Sequence, residues 1–145
     1  MIRRATEGDE AAIRDCATAA YSQYIATIGR KPAPMTADYG AHIARGEAHV
    51  AVDDAGVLLG LIVFFAEGEH MQLENVAVQS AAAGKGIGKG LVRFCEEEAQ
   101  RQGCKTVQLY TNEKMTANLS LYPHLGYREL GRWQEDGFNR VYLRR

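Results

Sequence analysis

Four glycines alternate within the stretch SAAAGKGIGKGL, residues 80–91: Gly84, Gly86, Gly88 and Gly90. They follow an apolar run and precede an amphipathic helical pattern. The start of a helix carries unpaired N–H groups and a partial positive charge, so it attracts anions. Residues without side chains let those amides come close to a phosphate. Lys85 and Lys89 add positive charge to the same stretch. The competing use of such glycines is a tight turn with close helix–sheet packing. A turn needs fewer glycines than these four, so the pattern favours anion binding.

Two common phosphate loops fail on counting. A dinucleotide fingerprint needs G-x-G-x-x-G. Counted from Gly84 its last position falls on Lys89, and counted from Gly86 on Leu91. A Walker A loop needs G-x-x-x-x-G-K-[ST]. Before Gly88-Lys89 its first glycine falls on Ala83, and Gly90 stands where Ser or Thr is required.

Hydrophobic spacing shows the elements that must hold this loop. Thr6 and Asp9 read as a helix-capping pair. Ile13, Cys16, Ala17, Ala20, Tyr21 and Tyr24 then follow at helical spacing. The stretch IGRKPAPM (28–35) reads as a loop, followed by a short helix over about 37–45. Three strands, His49–Asp53, Val57–Ala66 and Met71–Val78, form an antiparallel meander. After the loop, Ile87, Leu91, Phe94, Cys95 and Ala99 share one helix face. A strand at Thr106–Thr111 and a helix over about Met115–Leu125 come next, the helix shortened or kinked by Pro123. Tyr127–Glu135 and Phe138–Arg144 form a hairpin around Asp136-Gly137. The order is β-α-α-β-β-β-α-β-α-β-β, a single mixed α/β domain over residues 1–145.

Composition excludes several functions. The chain has 145 residues, a net charge of −1 and a pI near 6.4. It lacks the basic excess of a general nucleic-acid or membrane-surface binder. No apolar run is long enough to span a membrane. The first ten residues, MIRRATEGDE, carry no apolar signal core, which favours a cytoplasmic location. Three cysteines without CxxC spacing read as free thiols, with no disulfide framework and no metal site.

Two segments resemble those of a known family. Residues 75–99, NVAVQSAAAGKGIGKGLVRFCEEEA, are similar to the acyl-CoA-binding segment of the GNAT superfamily of N-acetyltransferases, V-x-P-x-x-[RQ]-G-x-G-[IL]-G. Val78, Gly84, Gly86, Ile87 and Gly88 match it. Residues 112–132 hold the family's asparagine (Asn118), tyrosine (Tyr122) and closing Gly126-Tyr127. The chain departs from the pattern at Ser80, Ala82 and Ala83, where the family has Pro, an aromatic and Arg or Gln. The grip there falls to backbone.

The resemblance implies a GNAT-type fold, with a mixed, mostly antiparallel sheet flanked by helices. It implies acetyl-CoA as co-substrate and no metal. The pyrophosphate would lie on backbone amides of Ala83, Gly84, Lys85, Gly86, Ile87, Gly88 and Lys89. The pantetheine arm would pair with Val76 and Val78, where Met71–Val78 and Thr106–Thr111 splay apart. Asn118 would touch the cofactor, and Tyr122 would serve as the acid for the leaving sulfur. Glu74, a carboxylate in an otherwise apolar strand, is the candidate base, with solvent exposure or substrate orientation as its alternative roles. His70 is a second candidate acting through water, whereas His42, His49 and His124 read as surface or structural.

The acceptor would be a primary amine of a small molecule, amino acid or peptide. Tyr21, Tyr24, the loop 30–35, Trp133 and Phe138 are its candidate lining residues, and each fits equally as core. No acidic cluster announces a polyamine, and no basic stripe announces an acidic substrate. The alternative is a non-catalytic CoA-binding or regulatory module on the same fold. Homodimerisation rests on analogy alone.

Overall fold

One sheet of seven strands runs through the protein in the spatial order β1-β2-β3-β4-β5-β7-β6. The computed structural model describes all residues from Met1 to Arg145. The strands are β1 (Ile2–Arg4), β2 (Ala48–Val52), β3 (Leu58–Glu67), β4 (His70–Val78), β5 (Thr106–Asn112), β6 (Arg128–Glu135) and β7 (Phe138–Arg144). Helices α1 (Glu10–Tyr21), α2 (Ile25–Ile28) and α3 (Tyr39–Ala44) lie between β1 and β2. Helix α4 (Ile87–Arg101) joins β4 to β5, and α5 (Thr116–His124) joins β5 to β6. The expected order therefore holds, with one addition. The first helical stretch breaks after Tyr21, and α2 is a single turn closed by Gly29 at φ 91°.

Side-chain alternation along the strands divides the core between two faces. On β3, Ile62 and Phe64 pack with Leu91, Val92 and Cys95 of α4. Leu61 and Val63 point the other way, into the layer of Ile13, Cys16 and Ala17 from α1 and Ile43 from α3. Burial on both faces explains why β3 reads as a continuous apolar run. Cys95 is fully buried in this core, and burial pushes its thiol up to about 12. No helix is long and apolar enough to cross a membrane.

Local signals set the connections. Asp53 Oδ1 accepts from the N–H groups of Ala55 and Val57, both at 2.9 Å, which fixes the turn between β2 and β3. Asp136 and Gly137 both have positive φ, 54° and 79°, the mirror-image turn that suits a two-residue hairpin. Pro123 does not break α5, because it sits in the last turn. The helix continues for one more residue and ends at His124.

All neighbouring strands are antiparallel except β4 and β5. That parallel pair is joined only at His70–Thr106, Met71–Val107 and Gln72–Gln108. Beyond Gln72 the two strands part. On its other edge β4 stays paired with β3 to Val78, but the register slips, with Val63 opposite Asn75 and Phe64 opposite Leu73. Glu74 is the extra residue of this β-bulge. A bulge bends its strand and adds local twist, so it lies where the fork opens.

Candidate active site

The fork holds a cavity of 260 Å³. Residues 73–76 of β4 and 109–112 of β5 form two of its walls. Pro32, Ala33, Pro34 and Tyr39 close one side, and Phe138 and Arg140 of β7 close another. Asn118 and Tyr122 of α5 reach in from the remaining side.

Asn75, 6% exposed, ties the first helical layer to the fork. Its Oδ1 accepts from the Tyr21 hydroxyl at 2.7 Å, and its Nδ2 donates to Tyr39 Oη at 2.7 Å. Tyr39 in turn donates to the Pro34 carbonyl at 2.5 Å. The Tyr21 hydroxyl also lies 2.7 Å from the Val76 carbonyl, so its single proton is shared between two acceptors. Val76 lines the cavity beyond the end of the β4–β5 ladder. Burial raises both phenols above their ordinary pKa.

A second network crosses the fork. The Tyr110 hydroxyl of β5 donates to Glu74 Oε1 of β4 at 2.8 Å. Burial, and then the Glu74 charge, push the Tyr110 phenol upward. The Arg140 guanidinium lies over the Tyr110 ring, 4.1 Å from its centroid. Arg140 is only 7% exposed and donates through Nη1 to Glu135 Oε1 at 2.8 Å.

Tyr122 is 3% exposed and packs edge-on against Tyr127, with ring centroids 5.7 Å apart. Its hydroxyl is absent from every hydrogen bond within the protein, and the residue lines the cavity. Burial raises its pKa, so the phenol stays protonated throughout the neutral range. Asn118 also faces the cavity, with Nδ2 donating to Thr111 Oγ1 at 3.2 Å.

The glycine loop begins where β4 ends. A 3-10 turn over Ser80–Ala82 leads to Gly84 and Gly86, both left-handed at φ 78° and 77°. Gly86 is the N-cap of α4. The N–H groups of Gly84, Lys85 and Gly86 have no acceptor in the protein, and those of Ile87, Gly88 and Lys89 are the unpaired first turn of the helix. A Cβ at Gly84 or Gly86 would meet no protein atom within 4 Å. The loop is therefore a row of free amides facing open space, as an anion cradle requires. Ala83 differs from the expectation, because its N–H donates to the Ser80 carbonyl at 3.1 Å. The free amides begin one residue later, at Gly84.

The structure thus brings Glu74, Val76, Asn118 and Tyr122 to one cavity and sets the loop at the end of the strand that lines it. Val78 lies at that strand end, close enough that a Cβ on Gly88 would sit 3.4 Å from Val78 Cγ2. His70 stays outside the cavity, beside Glu67 at 3.7 Å. Of the expected acceptor-side residues, Tyr21, Phe138 and the prolines of the loop line the cavity, whereas Tyr24 and Trp133 do not. Trp133 is 53% exposed and stacks on Tyr142. Sequence reasoning missed Asn75, Tyr39, Tyr110 and Arg140. It also placed His42 outside the site, yet His42 lines the cavity and pairs with Glu47 at 2.7 Å. The period-two alternation of β5 was a signal for Tyr110; nothing local marked the others.

Comparison with known proteins gives the family and the fold. The chain belongs to the acetyltransferase (GNAT) family, whose family model matches residues 11–127. It is 27% identical over 101 residues to Probable N-acetyltransferase 14 of Xenopus tropicalis, covering 68% of this chain and 49% of that protein. The chain spans about half or less of the length of most curated relatives it matches. Among solved structures, it resembles the PaiA N-acetyltransferase of Thermoplasma acidophilum in complex with coenzyme A, at TM-score 0.82 and 17% identity, covering 100% and 97% of the two chains. It also resembles the ribosomal-protein-alanine N-acetyltransferase of Brucella melitensis, at TM-score 0.75 and 22% identity, covering 100% and 98%. At these identities the structural likenesses establish the fold.

Proposed function

We propose that this chain transfers an acetyl group from acetyl-CoA to a primary amine, by direct attack with both substrates bound. The observation that carries the reading is the fork. One cavity joins a carboxylate, Glu74, and a partnerless phenol, Tyr122, next to a loop of six free amides.

The chain's own groups fit the co-substrate. Amides from Gly84 to Lys89 would take the pyrophosphate, with Lys85 and Lys89 exposed beside them. The parted edge of β4 at Val76 and Val78 would pair with the pantetheine arm, since β5 no longer occupies it. Asn118 would hold the arm near its reactive end. The PaiA structure in complex with coenzyme A, with the same fold, supports this reading.

In the transfer the new bond is amine nitrogen to carbonyl carbon, and the bond broken is carbonyl carbon to sulfur. Glu74 takes the proton from the acceptor amine, held toward the cavity by Tyr110. Tyr122 donates a hydrogen bond or proton to the departing sulfur.

Thiol release from acetyl-CoA with a panel of amines tests the reading. Turnover that falls about a hundredfold in both Glu74→Gln and Tyr122→Phe supports it. Binding of CoA with no turnover across the panel, unaltered by Tyr122→Phe, would point instead to a non-catalytic CoA-binding module.

A further inference from the structure

Arg140 has no role in acetyl transfer itself, yet it is a buried charge in the wall of the cavity. Its hydrogen bond to Glu135 and its 3.8 Å approach to Asp136 both run through Nη1. Nε and Nη2 complete no hydrogen bond of good geometry within the protein, the Tyr142 hydroxyl beside the guanidinium being bonded to Glu135, and neither nitrogen is sealed as an unpaired buried atom. The guanidinium is held in place by the Tyr110 ring beneath it. The hydroxyl of the same phenol holds Glu74. A fixed cation over the Tyr110 ring and a fixed anion at its hydroxyl thus line one cavity.

We propose that the acceptor is a free amino acid or a closely similar zwitterion, its carboxylate read by Arg140 and its amino group presented to Glu74. The proposal rests on the acetyl-transfer reading and names the substrate class of that site. An arginine fork matches a carboxylate in shape and charge. The two groups of an amino acid stand one carbon apart, and adding a hydrogen bond of about 2.8 Å at each end lets the molecule reach from the guanidinium over the ring to the carboxylate at its hydroxyl. A polyamine would set a second ammonium against Arg140. A peptide amino terminus carries an amide where the carboxylate would be and leaves the guanidinium unanswered. Arg30 stacks on Phe138 at 3.7 Å and donates to the Asp136 carbonyl, tying the proline loop to the terminal hairpin. A cavity of 260 Å³ suits a small acceptor.

The test is a panel of free α-amino acids, each with its carboxamide and its decarboxylated amine, assayed for CoA release with the full chain. The expected result is a kcat/KM for the preferred acid about 10- to 100-fold above that of its carboxamide, the range of a charge-assisted hydrogen bond. Arg140→Gln should bring that ratio close to one, and Arg140→Lys should restore part of it. Equal use of acid and carboxamide by the unaltered protein overturns the inference and leaves acetyl transfer standing. If no member of the panel turns over, calorimetric titration of the CoA-bound protein with the same acids and carboxamides decides. Acid-selective binding supports the carboxylate site although the acetyl-transfer reading fails; absence of selectivity overturns it.

Discussion

Tyr110 donates its phenolic hydrogen to Glu74 across the fork, from β5 to β4, at 2.8 Å. The two strands share no backbone ladder at this level, so the side chains make the bridge. The bond fixes the rotamer of the candidate base. Tyr110→Phe removes the donor and keeps the ring under Arg140. A fall in kcat of about tenfold is expected, with KM for acetyl-CoA nearly unchanged. Wild-type kcat in this variant would show that the bridge is structural only.

Asn75 satisfies two buried phenols at once. Asn75→Leu removes one of the two partners of each phenol, leaving Tyr21 its bond to the Val76 carbonyl and Tyr39 its bond to the Pro34 carbonyl, and places an apolar group against both. Each lost hydrogen bond is worth about 0.5–1.5 kcal/mol net, so roughly 2 kcal/mol of folding stability should be lost. Urea titration measures this. A loss below about 0.5 kcal/mol contradicts the network.

Gly86 was expected to be small so that a phosphate could approach. The structure adds that it is left-handed, at φ 77°. The two requirements can be separated. Gly86→Asn tolerates the backbone conformation yet places a side chain in the open space above the loop. Calorimetry should then show acetyl-CoA affinity reduced at least tenfold, while Tm shifts by only a few degrees. Unchanged affinity would falsify the cradle.

Five tyrosines, Tyr21, Tyr39, Tyr122 and Tyr127 buried and Tyr110 half-buried, have raised pKa values. Burial is the first cause for each. In the unfolded chain they ionise near about pH 10. Their raised folded values mean that the stability they contribute is complete below about pH 10 and is lost as pH rises from there toward those values. Above that pH the unfolded state releases protons that the folded state retains, so stability falls. Each group adds up to about 1.4 kcal/mol per pH unit. Thermal melts between pH 8 and 11 should show Tm falling steeply beyond about pH 10, with a shallower fall in Tyr122→Phe. A flat profile contradicts the burial.

Much of the architecture was legible in local chemistry. The apolar run of β3, the Asp136-Gly137 turn and the glycine-capped start of α4 each follow from rules acting over a few residues. Glu74 stood out because a carboxylate interrupts an apolar strand. Tyr122 and Asn118 stood out only through resemblance. Ala83 shows the limit of that approach. It falls inside the matched segment, but the 3-10 turn before it engages its amide.

The sequence by itself determined the elements, their order and the residue types available for chemistry, because helix periodicity, turn preference and capping are short-range effects. Only the tertiary structure decided which of those residues meet. The bulge at Glu74, the end of the ladder at Gln72 and Gln108, and the junction of Asn75 with Tyr21 and Tyr39 depend on contacts between segments as many as 54 residues apart. Arg140 is the sharpest case. In the sequence it is one charge in a terminal strand, and burial against Tyr110 makes it part of the cavity wall. Such long-range juxtapositions come from closing the whole sheet, which no local spacing encodes.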